Sequence, residues 1–220
     1  MLNDSTFPAP VIVQHSGSIE ATDGPKPLVV LLHGRGSNEQ DIIGLAGHLP
    51  EGAQYVAVRA PIAEGGGYAW FANRGIGRPK ADSLRKTMDW FTAWLEDFAS
   101  ERPVYLVGFS GGAAFVGGLI LDRPTRFAGA AILYGTLPFD AGVPVDPDHL
   151  AGLPVFVGQG LDDAVIPREL LERTWNYLTD GSGAVVRALR APGGHGISMP
   201  VLEDLGSWLG ERVAAESKDV

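Results

Sequence analysis

Val104-Tyr105-Leu106-Val107-Gly108-Phe109-Ser110-Gly111-Gly112-Ala113-Ala114-Phe115-Val116-Gly117-Gly118-Leu119-Ile120-Leu121 reads as a strand, a sharp turn and a helix in immediate succession. The apolar run at its start suits a strand buried on both faces. The small and apolar residues from Ala113 onward suit a helix that packs close against a sheet. Between the two, Gly108-Phe109-Ser110-Gly111-Gly112 matches G-x-S-x-G. In that pattern the serine sits on a strained turn, and side chains in place of the glycines would clash with adjacent backbone. Alone the pentapeptide says little, because a chain with 30 glycines meets three fixed positions by chance often enough. Its setting between strand and helix weighs against the plainer reading, a glycine-rich turn with an incidental serine.

Outward from this segment the chain alternates. Short apolar runs recur at Leu28–Leu32, Tyr55–Val58, Ala130–Tyr134, Val155–Val157 and Ala184–Val186. Between them lie stretches of helical period. In Asp82–Ser100, Leu84, Met88, Phe91, Leu95 and Phe98 fall on one face and Arg85, Lys86, Glu96 and Asp97 on the other. Arg168–Leu178 and Val201–Val213 repeat the pattern. Strand–helix alternation of this kind predicts an α/β fold, with a mostly parallel central sheet and helices on both faces.

Composition narrows the function classes. A chain of 220 residues predicts one domain over 1–220, with 1–10 and 214–220 as loose ends. The formal net charge of −9 disfavours nucleic acid and anionic membrane surfaces as partners. There is no cysteine, which removes disulfides, zinc–thiolate sites and a thiol nucleophile together. No signal-peptide pattern or membrane-length apolar run is evident, so a soluble cytoplasmic protein is expected.

In parallel sheets reacting residues gather on loops at the carboxyl ends of the strands. Those loops here are His33-Gly34-Arg35-Gly36, Gly108–Gly112, Gly160-Leu161-Asp162-Asp163 and Gly193-Gly194-His195-Gly196. Serine needs a base within hydrogen-bond reach. His15 and His149 read as surface residues, His48 as a helix-end partner of the dipole, and His33 as a buried structural hydrogen-bonder. His195 remains, past the last strand, where the chain order Ser…Asp…His requires the base. The acid between them is Asp162 or Asp163, and the residues alone do not separate these neighbours. A dinucleotide-binding reading fails, because Glu39 stands where the third glycine of G-x-G-x-x-G belongs.

Taken in order, these four motifs resemble the small carboxylesterase/phospholipase family of α/β-hydrolases, the group that includes acyl-protein thioesterases and their bacterial relatives. The resemblance spans nearly the whole chain. It implies the α/β-hydrolase fold and a serine esterase acting on short- to medium-chain acyl esters. Through the family's D-x-x-[VI]-P pattern it also implies that Asp163, not Asp162, is the acid beside His195 and Ser110. The backbone N–H groups of Gly111 and Arg35 become the implied oxyanion donors. Many members carry Gln after the serine, where this chain has Gly111; the N–H is kept and the side-chain contact is not.

In that fold a cap is usually inserted after the strand that ends here near Tyr134. Gly135–Leu153 is too short for a helical lid, so no cap domain and an open site are expected. Glu64–Phe71 reads as a flexible loop with three aromatics. Trp70 and Phe71 either border a substrate groove or pin the loop to the core. No metal or organic cofactor is implied, the partner being a small acyl ester, and a homodimer stays open. A thioesterase or lysophospholipase on the same three residues, or a non-catalytic binding module on the same scaffold, are the alternatives.

Overall fold

Each apolar run is a strand in the computed structural model, which describes residues 7–15, 26–100 and 102–216. In chain order the strands are β1 (Ile12–Gln14), β2 (Leu28–Leu32), β3 (Gln54–Val58), β4 (Ile62–Glu64), β5 (Gly67–Ala69), β6 (Asn73–Gly75), β7 (Arg78–Pro79), β8 (Val104–Phe109), β9 (Gly129–Leu133), β10 (Pro154–Gly160) and β11 (Val185–Ala191). The α-helices are α1 (Glu39–Ile42), α2 (Ala81–Ala99), α3 (Gly111–Asp122), α4 (Arg168–Asn176) and α5 (Met199–Glu216).

Seven strands form one sheet in the order β1-β3-β2-β8-β9-β10-β11. All neighbours are parallel except β1, which runs antiparallel along β3. Alternation of side chains splits β2 between two cores. Leu28, Val30 and Leu32 face α2 and α3, through Leu84, Met88, Phe91, Phe115 and Leu119. Val29 and Leu31 face α5 and the end of α1, through Leu205, Trp208, Leu209 and Ile42. Burial on both sides is why these strands read as unbroken apolar runs rather than as alternating ones.

The fold is that of the α/β-hydrolases, and the stretch Gly135–Leu153 carries no helix. It folds down instead, burying Leu137, Phe139, Val143 and Leu150 against the α2–α3 side. The region read as a flexible loop is different from expectation. β4 and β5 form a hairpin and β6 and β7 a second, irregular one, because strands of two or three residues can close on backbone hydrogen bonds that leave little periodic trace. At the stretches expected to be loose, Pro8 accepts a 2.7 Å hydrogen bond from Trp90 Nε1, and α5 continues to Glu216, whose carboxylate accepts from the Tyr105 hydroxyl. Residues 1–6 and 217–220 lie outside the described residues. No helix among the described residues is long and apolar enough to cross a membrane.

Candidate active site

Ser110 is the first residue after β8 and the residue before α3, with φ 54° and ψ −112°. A left-handed φ is costly for serine and persists only where the surroundings impose it. The two glycines impose it. A Cβ on Gly112 would lie 2.1 Å from the Leu32 carbonyl oxygen, and one on Gly108 would lie 2.4 Å from the Gly112 oxygen. Only a chain bare at both positions fits between β2 and β8. The turn is closed by Ser110 N–H donating to Leu133 O at 2.9 Å.

His195 follows β11 and reaches the serine from the other side. Its Nε2 stands 2.8 Å from Ser110 Oγ, and its Nδ1 stands 2.8 Å from Asp163 Oδ2. The Asp163 side chain is fully buried, and its second oxygen accepts from the Val165 and Ile166 N–H groups at 2.9 and 3.1 Å. Both carboxylate oxygens are therefore engaged, which offsets the cost of burying the charge. Asp162 is exposed, and its backbone N–H goes to Gly193 O. The imidazole is flanked by the rings of Phe109 and Tyr134, at 5.3 and 6.5 Å between centroids. Tyr134 has no catalytic signature in the sequence, and only the fold reveals this contact.

Two backbone amides lie side by side at the cavity that holds Ser110. The Gly111 N–H opens α3 and has no partner in an earlier turn. The Arg35 amide nitrogen lies beside it, 3.2 Å from where a Gly111 Cβ would stand. His33, two residues earlier, is fully buried. Its Nε2 accepts from Ala60 N–H at 3.1 Å, so Nδ1 carries the proton and donates to Gly34 O at 2.7 Å. Burial holds its pKa below the ordinary histidine range, against the opposing pull of that bond to Gly34. Its role is to hold the turn.

A cavity of about 570 Å³ opens over Ser110, within the range of small-molecule sites. Its walls are mostly apolar, including Ile42, Leu45, Phe71, Ile76, Val165 and Ile166. Phe71 borders the cavity and is at the same time buried in the α2–α3 core. Trp70 does not border it. Its ring is in the core, stacked on Phe115 at 4.5 Å, and its Nε1 donates to His33 O at 2.8 Å. Ile76 and Val165 were missed because nothing in the sequence sets apart a wall residue from any other apolar residue. Among the described residues no group of three or more His, Asp or Glu side chains is placed to hold a metal ion. An arrangement of hydroxyl, imidazole and buried carboxylate beside two free amides can move a proton off the hydroxyl and stabilise an oxyanion next to it.

The model of the phospholipase/carboxylesterase family matches residues 14–210. The chain belongs to that family of α/β-hydrolases, and it is a hydrolase. It is 30% identical over 196 residues to MhqD of Bacillus subtilis (strain 168), spanning 84% of this chain and 94% of that protein. Among solved structures it is similar to a carboxylesterase from Mesorhizobium loti, at 26% identity and a TM-score of 0.76 over 95% of this chain and 97% of the other. The fold is also that of the Bacillus cereus carboxylesterase, at 24% identity and a TM-score of 0.79 over 92% and 94% of the two chains.

Proposed function

We propose that this protein is a serine carboxylesterase that hydrolyses short- to medium-chain acyl esters through an acyl-enzyme on Ser110. The observation that carries the reading is the relay of two 2.8 Å hydrogen bonds from the Ser110 hydroxyl through His195 to a buried carboxylate. His195 Nε2 takes the proton as Ser110 Oγ attacks the ester carbonyl carbon. Asp163 keeps the other ring proton on Nδ1 and stabilises the imidazolium. The tetrahedral oxyanion accepts from the Gly111 and Arg35 N–H groups. On collapse the carbon–alkoxy bond breaks and the alcohol leaves with the proton from His195. Water, deprotonated by the same nitrogen, then releases the acid and restores the serine.

The substrate class rests on the cavity, whose size and apolar walls suit a modest acyl chain and leave room for a small alcohol. The net charge of −9 fits neither a nucleic acid nor an anionic membrane as partner. A small ester met in the cytoplasm suits it better.

A fluorophosphonate should leave one covalent adduct, on Ser110. Ser110→Ala should lose that adduct and about 10⁶-fold in kcat, with an unfolding temperature close to the parent's. Turnover retained in the alanine variant refutes the reading. Nitrophenyl esters from acetate to palmitate should peak between butyrate and octanoate. A thioester or a lysophospholipid turned over faster than any of them would move the assignment to those substrates.

A further inference from the structure

We infer that Glu64, on the β4–β5 hairpin, is a positioning residue for the oxyanion site, acting through Arg35; the inference rests on the serine-esterase reading above. An amide stabilises an oxyanion well only if it already points at the right place before the reaction. The Arg35 N–H belongs to a turn between β2 and α1 that has no regular structure of its own. Three neighbouring backbone groups of that turn are nonetheless tied to the hairpin region. The His33 carbonyl accepts from Trp70 Nε1. Gly36 N–H donates to Tyr68 O at 2.9 Å, and Tyr68 N–H donates to Ser37 O at 3.0 Å, an antiparallel bridge that staples the turn to β5. Beneath it the Arg59 guanidinium covers the Tyr68 ring at 4.7 Å and pairs with the buried Glu39 that opens α1.

The backbone ties hold residues on both sides of Arg35, and among the described residues Arg35 itself is held by its side chain. That side chain is clamped. Its Nε and Nη2 donate to the two oxygens of Glu64, each at 2.5 Å, and its Nη1 donates to Phe71 O at 3.4 Å. A two-pronged pair of this kind fixes orientation as well as distance. The residue it fixes is the one whose amide nitrogen lies beside Gly111.

The clamp is partly exposed, with side-chain exposures of 36% for Arg35 and 38% for Glu64, so it contributes little to stability. Its leverage lies in geometry, because a misplacement of about 1 Å can cost on the order of 10²-fold in rate. Loss of the clamp should therefore separate rate from folding. A packing role predicts the reverse.

The test compares the parent with Glu64→Gln and with Arg35→Lys, which keeps charge and backbone N–H but removes the fork. Each is assayed with nitrophenyl butyrate, with a phenylboronic acid whose serine adduct places an oxygen between the two amides, and with a fluorophosphonate. The expected result in both variants is a kcat lower by about tenfold, with a matching loss of boronate affinity. KM should stay within twofold, the unfolding temperature should hold, and Ser110 should still be labelled to completion. A kcat and boronate affinity within twofold of the parent overturn the role of Glu64. So does a rate loss that appears only together with a lowered unfolding temperature. If the parent itself takes no label on Ser110, the serine-esterase reading fails first and this inference with it.

Discussion

Ser110 and Asp163 stand at the ends of strands two apart in the same sheet, yet their turns are held by opposite means. The Ser110 turn is fixed by what is missing: two Cβ atoms for which there is no room. The Asp163 turn is fixed by what is present, a carboxylate that accepts from two N–H groups of its own loop. A steric turn is intolerant of bulk and indifferent to charge. A hydrogen-bonded turn is the reverse. The contrast predicts that substitutions at the glycines of the first fail by folding and that substitution of the aspartate in the second fails by chemistry.

The largest effect short of removing Ser110 is expected at Asp163. In Asp163→Asn the amide oxygen can still accept from Val165 and Ile166, so the turn keeps its shape. The group facing His195 is no longer a charge, and the imidazole loses its partner for the charged form. We expect about 10⁴-fold lower kcat, with an unfolding temperature near the parent's, read by steady-state kinetics and thermal melts. Asp162→Asn should change kcat by only a few-fold, since that side chain is exposed. Equal losses from the two would erase the contrast.

Gly112→Ala should do the opposite. Its methyl group would meet the Leu32 and His33 carbonyls at 2.1 and 2.7 Å, both backbone atoms with little freedom to retreat. We expect destabilisation of about 3 kcal/mol, visible as an unfolding temperature lower by roughly 6–12 °C. A variant that melts like the parent but is inactive would mean that the glycine serves chemistry rather than space.

The smallest effect is expected at His33. Its pKa is lowered in the folded state by burial, so the unfolded chain takes up a proton that the folded chain resists. Stability from this residue is complete above the unfolded value of about 6.5 and falls as the pH drops below it. Glu39, whose carboxyl Arg59 holds below the usual carboxylate range, contributes a second loss at lower pH. Melting temperatures between pH 7 and 5 should fall less steeply in His33→Gln than in the parent. Parallel slopes would show that His33 is protonated as easily in the fold as outside it.

The same contrast explains what was legible in the sequence. A turn built on bare positions leaves glycines in the text, and Gly108, Gly112, Gly194 and Gly196 marked where Ser110 and His195 lie. A turn built on a side chain accepting from its own backbone leaves one aspartate among several. Asp162 and Asp163 were therefore separable only by family pattern, while the geometry distinguishes them by burial. The parallel strands were legible because burial on both faces writes an unbroken apolar run. The two hairpins between β3 and α2 were not, since strands of two or three residues are held by backbone groups common to every sequence. β1 was missed for the same reason, its Ile12-Val13-Gln14 being too short to show a period. Trp70 allowed two readings because an aromatic residue can serve a core or a cavity wall, and only the stack on Phe115 separates them.

The left-handed backbone of Ser110 has one more consequence. A serine held at φ 54° costs on the order of 1–3 kcal/mol, a strain that glycine would not feel at the same place. Selection for a sturdier fold alone would therefore drift toward Ser110→Gly and away from the hydroxyl. On the serine-esterase reading proposed above, turnover requires the hydroxyl at that corner while stability favours its loss, so the stability optimum and the activity optimum of this chain would be different sequences.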